Sequence, residues 1–317
     1  MMLRYLLIFL FPVFLSAQQA DTIPLLRSVK IAYENDLLTI PINGRTDYYY
    51  TGGTFVGINL PCLEKNPISK VLLKLPQGHN ESLGISVGNL GFTPTSIKSD
   101  SILFGDRPFS GTLYLGFNRV SCNSVKQIRL ASELYLGVIG PAASGFETQK
   151  FIHTNTNNPI PRGWEFQIRN DVYVNYYLKL EKGLLAKKRV VDLIGYGFVN
   201  AGTIYNNAGL GLTICAGRMN HYFSGPGVSN RLQFWIYAKA EGKVIARDAT
   251  LQGGFLNTNS VYIISPDNMK RSLLSESVGF VFAYKKVRID YFNTFLSPEF
   301  KNGRKHAWGH LGIEYLF

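Results

Sequence analysis

The chain has 317 residues, 46% hydrophobic, 13% aromatic and only 17% charged, and its 33 Lys and Arg against 21 Asp and Glu give a net charge of +12. Three cysteines, Cys62, Cys122 and Cys215, are too few and too scattered for a disulfide framework or a thiolate metal site. No P-loop or dinucleotide-binding pattern occurs.

The first residues place Arg4 before an apolar run from Tyr5 to Leu15 and then Ser16-Ala17-Gln18, the pattern of a secretory signal peptide cleaved near Ala17. Residues 1–17 are therefore read as signal peptide and 18–317 as one domain. The apolar run is shorter than the roughly 20 residues a membrane helix needs. For an exported chain, the basic balance points to anionic lipid or lipopolysaccharide phosphate as partner more than to nucleic acid, with a solvated basic surface as the alternative.

Period-two alternation then recurs along the chain. In 165–181 the even positions, among them Phe166, Ile168, Val172, Val174, Leu178 and Leu180, are apolar, whereas the odd ones include Glu165, Arg169, Asp171, Lys179 and Glu181. The same alternation runs through 232–241, 286–291 and 306–317. A run of this length predicts a β-strand longer than the ~5–6 residues usual in soluble sheets. About twelve strands are predicted, near 28–35, 48–60, 81–91, 109–119, 126–140, 165–181, 190–202, 208–218, 231–247, 272–284, 286–297 and 306–317.

Long strands, 18 Tyr, 21 Phe and a leader predict an all-β fold, a transmembrane antiparallel β-barrel with apolar side chains toward lipid and a polar lumen. The alternative is a secreted sandwich with the faces reversed. An even strand count returns the C-terminus to the periplasmic side, and the connection 61–80 is longer than a periplasmic turn needs.

With the first strand running outward, connections 36–48, 92–108 and 141–164 lie at the external rim. In the third, "SGFETQKFIHTN" predicts a short helix with Ser144 as N-cap and Glu147 completing a capping box. Gln149 and His153, four residues apart, share one face of it. That face is expected to meet the outer ends of strands 1, 2 and 4, which carry "YENDLL", "RTDYYYTGG" and "GDRPFSGTLYL". Singly, such signals are the ordinary polar residues of loops and turns.

In this order, however, Asn35-Asp36, "TDYYYTGG", "GDRPFSGTLYLG", "GVIGPAASGFETQKFIH", "GWEFQ" and "TLQG" resemble the outer-membrane lipid A 3′-O-deacylase (LpxR-like) family. The resemblance implies a twelve-stranded barrel with its site between the wall and a loop helix. It also implies Ca²⁺-dependent hydrolysis of the ester that holds the 3′-linked acyl group of lipid A. By that resemblance His153 is the general base, and Asn35, Asp36, Thr51 and Gln149 form the rest of the catalytic site. Arg107 lies near the phosphorylated sugar, and Asp36 is the carboxylate for the metal. Family members can carry an acidic residue between the histidine and the tryptophan, but "TNTNNPIPRG" has none. Asn157, Asn158, a backbone carbonyl or Asp47 would have to substitute.

Two rivals remain from the residues. An outer-membrane phospholipase needs a His-x-Ser-Asn-Gly signature, and none of the five histidines is followed by it. A non-enzymatic barrel, such as a small porin, would line a channel with Arg169, Lys179, Glu181, Arg288 and Asp290. The expected setting is the bacterial outer membrane, with the protein acting as a monomer on lipopolysaccharide.

Overall fold

The computed structural model describes residues 27–40, 48–77, 80–187, 190–224 and 229–317. The expected signal peptide, Asp47, His79, Lys188 and Arg189 lie outside them. Twelve strands close into one antiparallel barrel, each paired with its chain neighbours and β1 with β12. They are β1 Ser28–Asn35, β2 Tyr49–Asn59, β3 Asn80–Thr93, β4 Ser110–Asn123, β5 Ile128–Ile139, β6 Asp171–Lys187, β7 Val191–Gly202, β8 Tyr205–Arg218, β9 Ser229–Asp248, β10 Ser272–Lys285, β11 Val287–Leu296 and β12 His306–Leu316. At the seam, Ile31 faces Ile313 on one side and Val56 on the other, so all three apolar side chains share the outer face.

That outer face follows the alternation. Val56, Val87, Leu115, Val174, Val199, Ile214, Ile236, Val278 and Ile313 are all exposed, as side chains meant for lipid must be. The opposite parity fills the lumen. Lys179 bonds Glu181 at 2.6 Å, and Arg129 reaches the same carboxylate at 3.4 Å. His310 bridges Glu34 (2.8 Å) and Asp290 (2.9 Å), and Lys30 lies 3.3 Å from Asp290. Residues 219–224 close one end, with Met219 and Phe223 packed on Cys122, Ile194 and Cys215. At the other end Tyr49, Leu251, Ile264, Met269 and Phe300 form an apolar cap. Cys122 and Cys215 are thus core residues, while Cys62 is exposed, and all three are free thiols.

Tight turns join β4 to β5, β6 to β7 and β10 to β11 at one end, with the long β2–β3 connection as the exception there. The longest loops, β5–β6 and β9–β10, stand at the other, so the tight-turn end is assigned to the periplasm and the long loops to the exterior. The expected loop helix is present as α1, Gly145–Asn155. Its predicted capping box is not: Ser144 adopts a left-handed conformation at φ 56° and its side chain makes no cap bond. β6 also starts later than the alternation predicts. Trp164–Phe166 is a 3-10 turn, and Ile168, expected to face lipid, donates its N–H to Phe109 and is buried against Ile139 and Tyr173. The chain crosses the rim there before it enters the wall.

Candidate active site on the outer wall

The site begins with an irregularity in β2. Tyr50 pairs with Phe92 and Gly52 with Gly91, so Thr51 is an extra residue, a β-bulge, without a partner in β3. A bulge re-aims its side chain and frees a backbone carbonyl. Asn35 satisfies that carbonyl, donating from Nδ2 at 2.6 Å, while its Oδ1 accepts the N–H of Leu37 at 2.7 Å and caps the 3-10 turn Asp36–Leu38. One side chain therefore fixes both the bulge and the turn that carries Asp36. Asp36 is buried there, 5% exposed.

Above the bulge lies α1. Gln149, 6% exposed, donates from Nε2 to Thr51 Oγ1 at 3.3 Å and accepts the Trp164 indole N–H on Oε1 at 2.7 Å. Asn35, Thr51, Gln149 and Trp164 thus form one hydrogen-bonded chain from β1 across to the α1 loop. The helix comes so close because Gly52, Gly91 and Gly111 lie side by side in register across β2, β3 and β4. A Cβ on Gly111 would stand 3.2 Å from the Gly145 backbone, and one on Gly145 would meet the Trp164 ring at 2.7 Å. Asn89 secures the approach by donating to the Ala143 carbonyl at 2.8 Å.

This glycine row shares the parity of Val56, Val87 and Leu115, so α1 packs on the lipid-facing side of the wall, not in the lumen. His153 lies one turn beyond Gln149 on the same helix face. Its Nδ1 is 2.6 Å from the carbonyl of Pro159. A carbonyl only accepts, so in the neutral ring Nδ1 carries the proton and Nε2 is the basic nitrogen. The same bond fixes the ring, and nothing in the residue pattern around His153 points to it.

Of the residues singled out in the sequence, Asn35, Thr51 and Gln149 are joined by hydrogen bonds, with Asp36 next to Asn35 in the chain and His153 one helical turn from Gln149. Arg107 is held elsewhere. Only 2% exposed, it is ion-paired to Glu299, donates to Thr250 Oγ1 at 2.6 Å and stacks on Phe92 at 4.4 Å. Phe92 lies on the lumen side of β3, opposite in parity to the glycine row, so the guanidinium is committed inside the external cap and is not presented to a sugar phosphate. Replacing Arg107 with alanine would strand Glu299 without its partner. We expect a loss of about 3–5 kcal/mol of stability in urea unfolding of the folded barrel, the usual cost of breaking a buried pair.

Trp164 stands just before the predicted strand 165–181, and the structure seats it in the 3-10 turn at the rim, where its indole holds Gln149. A hard ion such as Ca²⁺ takes oxygen ligands, and a carboxylate such as that of Asp36 is of this kind. Among the described residues no group of three acidic, His or Cys side chains is placed to hold a metal ion, and the amide oxygens of Asn35 and Gln149 already accept N–H bonds. Asp36 brings a buried carboxylate to this place.

The model of a family described as outer membrane protein LpxR matches residues 3–317. Among solved structures, LpxR from Salmonella typhimurium is similar at 20% identity with a TM-score of 0.76, covering 92% of this chain and 100% of that one. The KdgM porin aligns at 8% identity and a TM-score of 0.41, covering 92% and 99%. The COG4313 outer membrane channel from Pseudomonas putida F1 aligns at 11% and 0.45, covering 95% and 100%. No curated protein matches the chain.

Proposed function

The chain belongs to the outer-membrane LpxR family, and from that premise we propose that it hydrolyses the ester of the 3′-linked acyl group of lipid A, with His153 as general base. The observation that carries this reading is the location of the hydrogen-bonded cluster: on the outer wall at the external rim, under the helix that bears His153. A lipid reaches such a place by moving sideways in its leaflet, whereas a soluble substrate or permeant would use the lumen. The lumen is filled by the pairs around Glu181 and Asp290 and closed by residues 219–224, which speaks against the porin reading.

In the proposed reaction His153 Nε2 takes a proton from a water, and the resulting hydroxide attacks the ester carbonyl. The tetrahedral intermediate then expels the sugar oxygen, which recovers the proton from His153. Thr51 Oγ accepts from Gln149 and so has its own hydrogen to donate, and Gln149 Nε2 retains a second N–H. Both can stabilise the developing oxyanion. Ca²⁺, held by Asp36 with oxygen ligands from solvent or lipid, would polarise the carbonyl as a Lewis acid. Every side chain in this scheme comes from one chain, so a monomer suffices.

Mass spectrometry of lipid A from cells expressing the protein tests the reading. We expect loss of one 3′-linked acyl substituent, prevented by chelation of calcium. Unchanged lipid A together with a folded, heat-modifiable barrel would overturn it, and single-channel conductance in planar bilayers would revive the porin.

A further inference from the structure

The long connection between β2 and β3 does not hang below the barrel. It forms two 3-10 turns, Pro61–Lys65 and Pro67–Lys70, and then runs along the outside of the wall. Its partners prove the side. Leu73 accepts from Ser132 Oγ at 2.8 Å, Val71 accepts from the Tyr176 hydroxyl at 3.0 Å, and Leu75 donates to Ser121 Oγ at 2.8 Å. Ser121, Ser132 and Tyr176 have the parity of Leu115, Leu136 and Val174, the lipid-facing positions of β4, β5 and β6. Arg119, of the same parity, donates to Ser69 and is bonded at 2.6 Å to Glu81. Leu63, Ile68 and Leu72 share a groove with Leu83, Ile85 and Phe117 of the wall.

This strap therefore occupies the ring around the periplasmic end where lipid headgroups would otherwise lie. It covers polar side chains that face outward, since Arg119, Ser121 and Ser132 are buried beneath it. Its own outer surface combines exposed Val71 (55%) and Leu73 (52%) with exposed Lys65, Lys70 and Lys74, against one exposed acid, Glu64. Lys74 is half exposed although it approaches Glu81 at 3.6 Å.

We propose that the strap is a binding surface for anionic glycerophospholipid of the periplasmic leaflet. Val71 and Leu73 enter the acyl boundary, and the three lysines of the strap hold the phosphates, as basic and apolar residues combine in interfacial segments. The occupant is chosen by charge and place: a zwitterionic lipid offers the cations no net attraction, and the lysines stand at the level of the headgroups.

The test is native mass spectrometry of the full-length barrel released from bilayers containing equal phosphatidylglycerol and phosphatidylcholine. Each lysine near an anionic surface favours it by roughly five-fold, so wild type should retain phosphatidylglycerol over phosphatidylcholine by at least about five-fold. Lys65→Gln/Lys70→Gln/Lys74→Gln should retain the two equally, and high salt should erase the preference in wild type without any mutation. Equal retention by wild type at low salt, or a preference that survives salt or persists in the folded triple variant, would overturn the proposal. Since no turnover is measured, failure here leaves the proposed hydrolysis untouched.

Discussion

His153→Ala is expected to lower lipid A hydrolysis by about 10³-fold, within the range that a positioned general base contributes. Alanine also removes the bond from Nδ1 to the Pro159 carbonyl, so a purely structural role for the ring would give a loss as well. His153→Asn separates the two. Its side-chain amide can replace Nδ1 as donor to Pro159 but supplies no basic nitrogen. Both variants should therefore be equally inactive in a lipid A deacylation assay with folded protein. Substantial activity in His153→Asn would show that the imidazole holds the loop and that another group activates water.

Gly111→Val is expected to cost about 100-fold in the same assay, although residue 111 touches no reacting atom, because a misplacement of about 1 Å is enough for such a loss. A Cβ at Gly111 meets the backbone of Gly145 at 3.2–3.3 Å, and backbone cannot rotate aside as a flexible side chain would. The start of α1 must lift, and with it the 3.3 Å contact between Gln149 and Thr51. The barrel should still fold, since the added methyl groups project from the outer face. Gly242→Ala is the control: a Cβ there meets only Leu274 at 3.8 Å, and activity should not change. Wild-type turnover by Gly111→Val would mean that α1 does not need its seat on the wall.

The barrel was legible because its physical cause is periodic. A strand in a membrane wall must alternate, and every predicted strand overlaps an observed one, with Ser28–Asn35 and Val191–Gly202 close to their predicted ends. Where packing at the rim took over, alternation misled. Ile168 keeps the apolar parity of Val172 and Val174, yet it belongs to the buried cluster with Ile139 and Ile204, because the chain is still crossing the rim when it passes Trp164. Ser144 and Glu147 had the spacing of a capping box, but a left-handed backbone at Ser144 turns the hydroxyl away.

The site was legible in a different way. Asn35, Thr51 and Gln149 have nothing periodic in common: the strand count brought their three stretches to one rim, and the resemblance to a family picked out the individual residues. Why they meet is physical: a bulge at Thr51, a carbonyl that Asn35 must satisfy, and a row of glycines that lets a helix descend onto the wall. Arg107 shows the limit of such transfer. An arginine beside a strand start carries the same letter whether it faces a phosphate or, as here, Glu299 and Thr250 inside the cap. The strap at 61–77 was visible only as excess length, because its partners are spread over four strands.

The position of α1 on the outer face has a kinetic meaning. A substrate that arrives within the leaflet is counted per unit of membrane area, not per litre, so its effective concentration is a mole fraction. Adding inert lipid or detergent to a fixed amount of lipid A should slow the proposed reaction by surface dilution, while changing the bulk volume at constant composition should leave the rate per enzyme unaltered.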